Sequence, residues 1–186
     1  MGKVLGGSGD LAIISFMPGS AATIEREQAF RDEPRLLFPR VRVAVMEYGM
    51  AEQTRAQRLT EEVLGSHPHL SGIFADNESS SMGVLRALKK RARSSLKFVA
   101  FDASDELVSG LKSGFVDSLV VQDPYRMGYE TIRALAAALA RKHPSVFVDS
   151  GVRLVLADDV DDPEVRQLLF PALQPGSRSR GRPPLR

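Results

Sequence analysis

The feature that most constrains this chain is a fivefold alternation of short β-prone runs with segments of helical spacing between Asp10 and Arg141. Strands that alternate with helices are typical of a parallel sheet, because parallel neighbours need a long crossover connection. The pattern therefore predicts the α/β class with a parallel sheet covered by helices. The predicted strands are Asp10–Phe16, Val41–Tyr48, Gly72–Asp76, Phe98–Phe101 and Leu119–Val121, and the helices begin near Ala21, Ala51, Ser80, Ser104 and Arg126. The first of these helices is predicted to end near Arg31, and Ser104 is predicted to cap the fourth.

Shorter elements follow the fifth helix. Two extended pieces are predicted at Val146–Val148 and Val152–Leu156, before an acidic turn at Asp158–Asp162. A short helix then ends near Phe170.

Three consecutive predicted strands end on a planar polar side chain. Asn77 follows GIFAD, Asp102 ends KFVAFD and Gln122 lies in SLVVQD. Ligands of parallel sheets bind outside the carboxyl ends of the strands. Amides and carboxylates can each engage two neighbouring hydroxyl groups. The three side chains therefore predict a site for a small, hydroxyl-rich ligand.

The composition is that of a soluble globular chain. With 186 residues, 43% of them hydrophobic and 26% charged, the chain suits one domain or one and a half. Cysteine is absent from the sequence, which excludes disulfides and thiol catalysis. No apolar run approaches the roughly 20 residues that a membrane-spanning helix needs.

The basic charge is concentrated at the end of the sequence. Pro175–Arg186 holds four arginines and no acid, against a formal net charge of +2, so the rest of the chain is slightly acidic. A segment of Pro, Gly, Ser and Arg cannot bury apolar surface, which predicts a disordered basic tail over 174–186. The tail lacks aromatic side chains for stacking on bases, so no nucleic-acid partner is predicted.

The sequence shows no catalytic constellation. His67, His69 and His143 have no carboxylate at ligand spacing, so no metal site is predicted. Asp76 and Glu78 flank one strand end and do not lie across a scissile bond as glycosidase carboxylates do. Neither a phosphate loop ending in GK[ST] nor a G-x-S-x-G elbow appears. We therefore predict that the protein is not an enzyme and uses no cofactor.

Four sequence blocks keep a distinctive order and spacing. They are GSAATIEREQAF (Gly19–Phe30), HPHLSGIFADNESSSMGVLRALK (His67–Lys89), FVAFDAS (Phe98–Ser104) and VVQDPYRMGYETI (Val120–Ile132). Together they resemble the type-1 periplasmic sugar-binding proteins, the ribose-binding-like receptors of ABC importers. The later run GVRLVLADDVDDPEVRQLLFP is similar to the C-terminal end of such receptors, so the resemblance covers about Leu5 to Pro171.

The resemblance implies two α/β lobes joined by a hinge, with sugar bound in the cleft between them. It assigns 1–117 to a C-terminal-type ligand-binding lobe, a three-layer parallel-sheet unit, and 118–145 to a hinge crossing with a strand and helix of the N-terminal-type lobe. A return segment and terminal helix would occupy 146–173. Most of the N-terminal lobe of such receptors precedes the block DLAIISF, so the chain is expected to be N-terminally truncated and to bind sugar weakly or not at all.

The resemblance implies four sugar contacts. Arg26 would direct its fork of donors at hydroxyls or the ring oxygen, and Asn77 would supply a donor and an acceptor. Asp102 would accept two hydroxyl hydrogen bonds, and Gln122 would lie where the chain crosses the hinge. The sequence departs from the family at Gly49–Ala51, where such receptors often have an aromatic side chain that covers one sugar face.

Each of these four residues also has a purely structural interpretation. Arg26 is compatible with a surface ion pair, and Asn77 with a helix cap. Asp102 is compatible with a capping turn, and Gln122 with a bond to a loop backbone group. Tyr48 and Phe101 are the candidates to replace the missing aromatic side chain.

Three functional classes fit the sequence. The first is a solute receptor of a sugar ABC importer, which binds a monosaccharide and docks on the transporter's membrane subunits. The second is the effector-sensing domain of a lactose-repressor-type regulator, and the third is a fragment that makes lobe contacts without binding sugar. QDPYRMGY is more similar to the receptors, and no helix-turn-helix segment precedes the sheet. The receptor is therefore predicted, with a periplasmic location by resemblance, although Met1–Ser8 is not a convincing export signal.

The fifth helix carries an apolar stripe of Ile132, Leu135 and Leu139. In the resembling receptors this stripe packs within the N-terminal lobe. In this chain it is expected to fold back on its own lobe or to pair with a second copy, giving a homodimer through the helix at 126–141.

Overall fold

The protein forms one six-stranded sheet with the strand order β2-β1-β3-β4-β5-β6. A computed structural model describes residues 1–2, 4–91, 95–143 and 147–171. The first five strands are parallel, and β6 is antiparallel to β5. The strands are β1 (Ser8–Ser15), β2 (Arg40–Tyr48), β3 (Leu70–Ala75), β4 (Lys97–Phe101), β5 (Ser118–Gln122) and β6 (Val152–Val155).

Helices connect the strands as the alternation predicts. The helices are α1 (Ala21–Leu37), α2 (Gln53–Ser66), α3 (Glu78–Lys90), α4 (Asp105–Lys112), α5 (Pro124–Leu139) and α6 (Pro163–Leu169), with a 3₁₀ turn at Ala157–Asp159. Helix α1 continues beyond its predicted end at Arg31 and passes through Pro34. A proline inside a helix removes one backbone hydrogen bond and its ring crowds the carbonyl four residues earlier, which destabilises or kinks a helix without always ending it.

Two apolar clusters make the fold a three-layer structure. Alternate side chains of the strands point to opposite faces of the sheet. On one face, Ile13, Phe74 and Phe101 form a cluster in which Phe30 of α1 stacks on Phe74 with ring centroids 4.2 Å apart. On the other face, the larger cluster joins the strands to α2, α3, α4 and α6, with Leu85 of α3 fully buried within it. The α/β class and the mostly parallel sheet are thereby confirmed.

Close contact between α2 and α3 fixes the larger layer. Gly83 of α3 lies against Ala56 of α2, and a Cβ atom at Gly83 would stand 2.5 Å from the Cβ of Ala56. The predicted cap of α4 is confirmed, since the Ser104 hydroxyl accepts a hydrogen bond from the Leu107 amide at 3.3 Å. The contact at Gly83 fixes how closely α2 and α3 pack, and the Ser104 cap fixes where α4 begins.

The last third of the chain differs from the sequence expectations. The sheet continues across the predicted boundary at 117/118, because β5 pairs in parallel with β4 from Val99–Ser118 to Phe101–Val120. The sheet is not wholly parallel, since β6 pairs with β5 as an antiparallel edge strand after α5. Val148 is not in a strand, and Val146 and the tail at 174–186 lie outside the described residues. The assignment of 118–145 to a second lobe stays a prediction.

Helix α5 does not pack on the sheet. None of its residues is buried, and Ile132, Leu135 and Leu139 are 65%, 54% and 78% exposed. The expectation that this stripe folds back on its own lobe is therefore wrong. Exposure of an apolar stripe to water is unfavourable. The other part of the expectation, that the stripe pairs with a second copy of the chain, stays a prediction.

Among the described residues, the longest apolar helical stretch falls short of what would cross a lipid bilayer.

Candidate functional site

The predicted polar residues meet at the point where the chain reverses direction across the sheet. From β1 the chain moves outward to β2, and then crosses back over β1 to form β3. In open α/β sheets the crevice at such a switch point, beyond the carboxyl ends of the strands, is where ligands bind. The start of α1 and the ends of β3, β4 and β5 all border this crevice.

Arg26 of α1 bridges two of these strand ends. Its Nη1 donates to the main-chain carbonyl of Asp76 at 2.8 Å, and its Nη2 donates to Oε1 of Gln122 at 3.1 Å. The guanidinium carbon lies 3.8 Å from the centre of the Phe101 ring. Stacking on an aromatic face and two divergent hydrogen bonds hold the guanidinium in one orientation. The interpretation of Arg26 as surface decoration therefore does not describe its contacts.

Gln122 and Asp102 continue the same network. Gln122 Nε2 donates to Asp102 Oδ1 at 2.8 Å, and the Glu78 amide donates to Asp102 Oδ2 at 3.1 Å. Asp102 has a φ of 68°, in the left-handed region that a non-glycine residue seldom adopts. Such conformations cluster at binding sites, where surrounding contacts hold them. Here the bond from the Asp102 amide to the Val120 carbonyl, 2.9 Å long, is one of those contacts.

Asn77 caps α3 at the same edge. Its Oδ1 accepts a hydrogen bond from the Ser80 amide at 3.3 Å, and its Nδ2 donates to the Ser79 hydroxyl at 2.8 Å. The structural interpretation of Asn77 as a cap is therefore correct for these contacts. Its chain neighbours are part of the network, since Asp76 accepts from Arg26 and Glu78 donates to Asp102. Asn77 is half-buried, so its side chain also borders solvent at the crevice.

The arrangement offers donors and acceptors in alternation. Arg26 and the Gln122 amide group donate, and Asp102 and the Gln122 carbonyl accept. Arg26, Asn77, Asp102 and Gln122 are all half-buried, which leaves each of them partly accessible from the crevice. Hydroxyl groups both donate and accept, so a polyol suits such a row better than an anion or an apolar molecule does.

Sequence reasoning missed two parts of this site. Phe101 was considered as a sugar-stacking ring, whereas it lies under the guanidinium of Arg26. The buried group of Ser15, Glu27 and Asp76, which lies beneath the network, was not predicted. The available signal was adjacency: Glu27 follows Arg26, and Asp76 precedes Asn77.

The loop after β2 borders the crevice without an aromatic side chain. The Gly49 amide donates to the Ser15 carbonyl at 2.8 Å, which ties this loop to the end of β1. Met50 and Ala51 have φ values of 55° and 63°, both in the left-handed region. Burial, together with the neighbouring Glu27 carboxylate, raises the pKa of Tyr48. Tyr48 thus faces Glu27, and stacking of Tyr48 on a ligand stays a prediction. Phe101 is buried and covered by Arg26, so the prediction that it stacks on a ligand is wrong.

A separate groove of about 550 Å³ runs along the edge strand β2 and is lined by residues that include Arg31, Pro39 and Met46. The residues that line this groove include none of the four predicted sugar contacts. In the part of the chain that the structure describes, no three His, Asp or Glu side chains are grouped as a metal site requires.

The family assignment follows from residues 1–143, which match the model of the periplasmic binding protein domain. The chain belongs to this family, and its fold is that of the type-1 periplasmic binding proteins. The ribose-binding-like resemblance is thereby confirmed. The family consists of solute-binding receptors, which are periplasmic binding proteins and not enzymes.

Individual relatives are named for sugars. The D-apiose import binding protein of Paraburkholderia graminis is 32% identical over 85 residues, which are 46% of this chain and 27% of that protein. A solute-binding protein of Agrobacterium radiobacter, solved in complex with D-arabinose, is 31% identical with a TM-score of 0.85 over 90% of this chain and 58% of that one. Another from Agrobacterium vitis, with bound D-fucose, is 28% identical with a TM-score of 0.87 over 91% of this chain and 59% of that one.

These relatives are longer than the matched region. The chain spans between 27% and 41% of the length of the first curated relatives that it matches. The relatives are sugar-binding components of importers, which favours the receptor interpretation over the lactose-repressor-type regulator.

Proposed function

We propose that this chain supplies the ligand-binding lobe of a solute receptor of a sugar ABC transporter, and that its ligand is a monosaccharide. The observation that carries the proposal is the continuous hydrogen-bonded row from Arg26 through Gln122 to Asp102 at the switch point of the sheet. Its sugar-bound structural neighbours provide independent support.

Each contact has a stated role in this proposal. Arg26 donates to a hydroxyl or to the ring oxygen, while Phe101 keeps its guanidinium flat against the end of the sheet. Asp102 accepts from two neighbouring hydroxyls, and its carboxylate makes these the stronger bonds of the set. Asn77 and Gln122 add neutral donors and acceptors that select the positions of the hydroxyls. A sugar that contacted a second lobe as well would stabilise a closed form, because it would bind that form more tightly.

The remaining parts of the proposal concern the whole receptor. We assign 1–117 to the ligand-binding lobe and 118–145 to a hinge crossing toward a second lobe. We propose the transporter's membrane subunits as the macromolecular partners and the periplasm as the location. We also propose that the chain itself has no enzymatic role. Binding by this chain alone is expected to be weak, because it contributes only the contacts of one wall of the cleft.

A homodimer through 126–141 is a further proposal. It is supported by the exposure of Ile132, Leu135 and Leu139, which places an apolar stripe in water. Sedimentation equilibrium is the test: concentration-dependent dimers are expected, and Leu135→Lys should remove them. A strict monomer at concentrations up to about a millimolar would contradict the proposal.

Titration calorimetry against D-ribose, D-arabinose, D-fucose and D-apiose tests the sugar-binding proposal. We expect at least one sugar to bind weakly, with a dissociation constant of about a millimolar, and Asp102→Asn to weaken binding by about tenfold or more, since a charged acceptor is lost. Asp158→Asn is the matched control, because Asp158 is exposed and distant in sequence from the network. Equal binding by both variants, or no binding of any sugar, would overturn the assignment of the site.

A further inference from the structure

The ends of β1 and β3 carry a buried polar cluster that the proposed sugar contacts do not use. Its members Ser15, Glu27 and Asp76 are 0%, 8% and 0% exposed. The Ser15 hydroxyl oxygen lies within hydrogen-bonding distance of a carboxyl oxygen of Glu27 and of Oδ2 of Asp76. The second carboxyl oxygen of Asp76, Oδ1, is buried and has no hydrogen-bond partner among the described residues. We call these three residues the proton cluster.

The proton cluster is one hydrogen short if both carboxyl groups are ionised. The Ser15 hydroxyl has a single hydrogen, so it donates to only one of its two carboxyl neighbours. The other carboxylate would face the lone pairs of the same oxygen, with two buried negative charges close together, which is strongly unfavourable. A proton on one carboxyl group resolves this, because that group then donates to Ser15 and Ser15 donates to the other.

Asp76 is the group that holds this proton. Burial raises the pKa of Asp76 from its ordinary 3.8 to about 6, and the Glu27 charge adds to the rise. Hydrogen bonds from the Ser15 hydroxyl and from the Phe16 amide, together with the charge of Arg26, lower the pKa of Asp76 by less. The Glu27 carboxyl group is also within hydrogen-bonding reach of the Tyr48 hydroxyl.

Two charged elements pack around the cluster. From α1 come Glu27, Arg26 and, near Tyr48, Arg31; from the end of β2 comes Tyr48 itself. Arg26 is the charge that opposes proton uptake by Asp76, and Glu27 the one that favours it. The balance of these groups sets the pH at which the proton is lost.

The cluster is joined to the proposed site through the main chain. The Asp76 carbonyl accepts the 2.8 Å bond from Arg26, and Asn77 follows Asp76 directly. On the other side, Glu27 follows Arg26 in α1. Each carboxyl group of the cluster therefore belongs to a residue that adjoins a proposed sugar contact in the chain.

We propose that one proton shared by Ser15, Glu27 and Asp76 joins the ends of β1 and β3 and positions Arg26 and Asn77, so that loss of this proton weakens sugar binding. The binding half of this inference rests on the proposed function. The proton-holding half does not depend on sugar binding, because it rests on the buried carboxyl groups around Ser15, so the two halves are separable by experiment.

The sign of the pH dependence follows from the raised pKa. The folded chain keeps the proton up to about pH 6, whereas the unfolded chain loses it near the ordinary value of 3.8. The contribution of Asp76 to stability is thus fully present below about pH 4 and is lost as the pH rises through 6. A shift of about two units corresponds to a change on the order of a hundredfold in the folding equilibrium constant. Sugar that binds the protonated form raises the pKa of Asp76 in return.

The test compares the wild type, Asp76→Asn and the control Asp32→Asn, which alters an exposed aspartate of α1. Asparagine in place of Asp76 donates permanently from Nδ2 to Ser15, as the protonated acid does. Urea unfolding between pH 4 and pH 8 should show stability falling through pH 6 in the wild type and the control, and no such fall in Asp76→Asn. The ¹³C carboxyl resonance of Asp76 in the wild type should titrate near pH 6, which decides the matter even if the variant fails to fold.

Calorimetry at pH 5 and pH 8 completes the test. Where a sugar binds, its affinity for the wild type should fall by about fivefold or more from pH 5 to pH 8, and that for Asp76→Asn should not. A carboxyl titration near pH 4, or parallel unfolding profiles for all three proteins, would overturn the proton cluster. Titration near pH 6 with no sugar binding at either pH would overturn the proposed function and leave the proton cluster standing.

Discussion

Replacing Arg26 with lysine separates the geometry of the proposed site from its charge. The guanidinium donates to the Asp76 carbonyl at 2.8 Å and to Gln122 at 3.1 Å while it stacks on Phe101 at 3.8 Å. A lysine ammonium keeps the charge, but it is a compact point charge that lacks the planar fork, so it cannot reproduce all three contacts.

The loss of stability that Arg26→Lys causes follows from these contacts. A hydrogen bond to a charged group contributes about 1.5 kcal/mol at the low end of its range, which suits a half-buried side chain. Loss of optimal stacking adds about 0.5 kcal/mol. Arg26→Lys is therefore expected to lower the free energy of unfolding by about 2 kcal/mol, and sugar affinity by about tenfold or more because one donor to the sugar is misplaced.

Urea unfolding and calorimetric titration measure the two effects at constant pH. Arg58→Lys is the matched control, because the Arg58 side chain is 66% exposed and its ion pair with Glu62 spans 3.6 Å. Exposed pairs of this kind contribute at most about 0.5 kcal/mol. If Arg26→Lys matched the wild type in both stability and affinity, the reasoning that the fork and the stack position the site would be refuted.

Further predictions concern the packing and the caps that hold the site. Gly83→Ala should lower stability by about 1–3 kcal/mol in urea unfolding, because the new Cβ would stand 2.5 Å from the Cβ of Ala56 and 2.7 Å from the Gln53 carbonyl oxygen. Gly65→Ala in α2 should instead raise stability by about 0.5–1 kcal/mol, since nothing lies within 4 Å of its Cβ position, and equal effects at both glycines would contradict the packing. Ser104→Ala should cost about 1 kcal/mol through loss of the α4 cap, with Ser104→Thr close to the wild type as its control.

Local patterns predicted the parts of the fold that depend on local physics. The alternation of apolar runs and helical segments identified β1 to β5 and their helices, and capping preference identified Ser104. The antiparallel direction of β6 was not predicted, because a strand's direction depends on the connection that precedes it and not on its own residues. The exposure of α5 was not predicted either. An apolar stripe indicates that a helix is buried, but it does not indicate which surface buries it.

The candidate site shows the same division. The sequence predicted that Arg26, Asp102 and Gln122 lie near one another, and the structure joins them by direct hydrogen bonds. Those bonds depend on the tertiary fold and cannot be deduced from the local sequence. The bond between Ser15 and Asp76 joins residues 61 positions apart, and nothing in either local segment indicates that the two side chains meet. Whether the four predicted residues contact a sugar stays a prediction.

Two-dimensional NMR spectra recorded during a sugar titration test whether the chain binds sugar through Arg26, Asn77, Asp102 and Gln122. The chain would be titrated with D-arabinose or D-ribose up to about 50 mM, which is ample for a millimolar dissociation constant. We expect saturable chemical-shift changes centred on the side-chain signals of Arg26, Asn77 and Gln122 and on the amide of Asp102. Saturable shifts confined to another surface, such as the groove along β2, would contradict it, as would the absence of saturable shifts with every sugar tested.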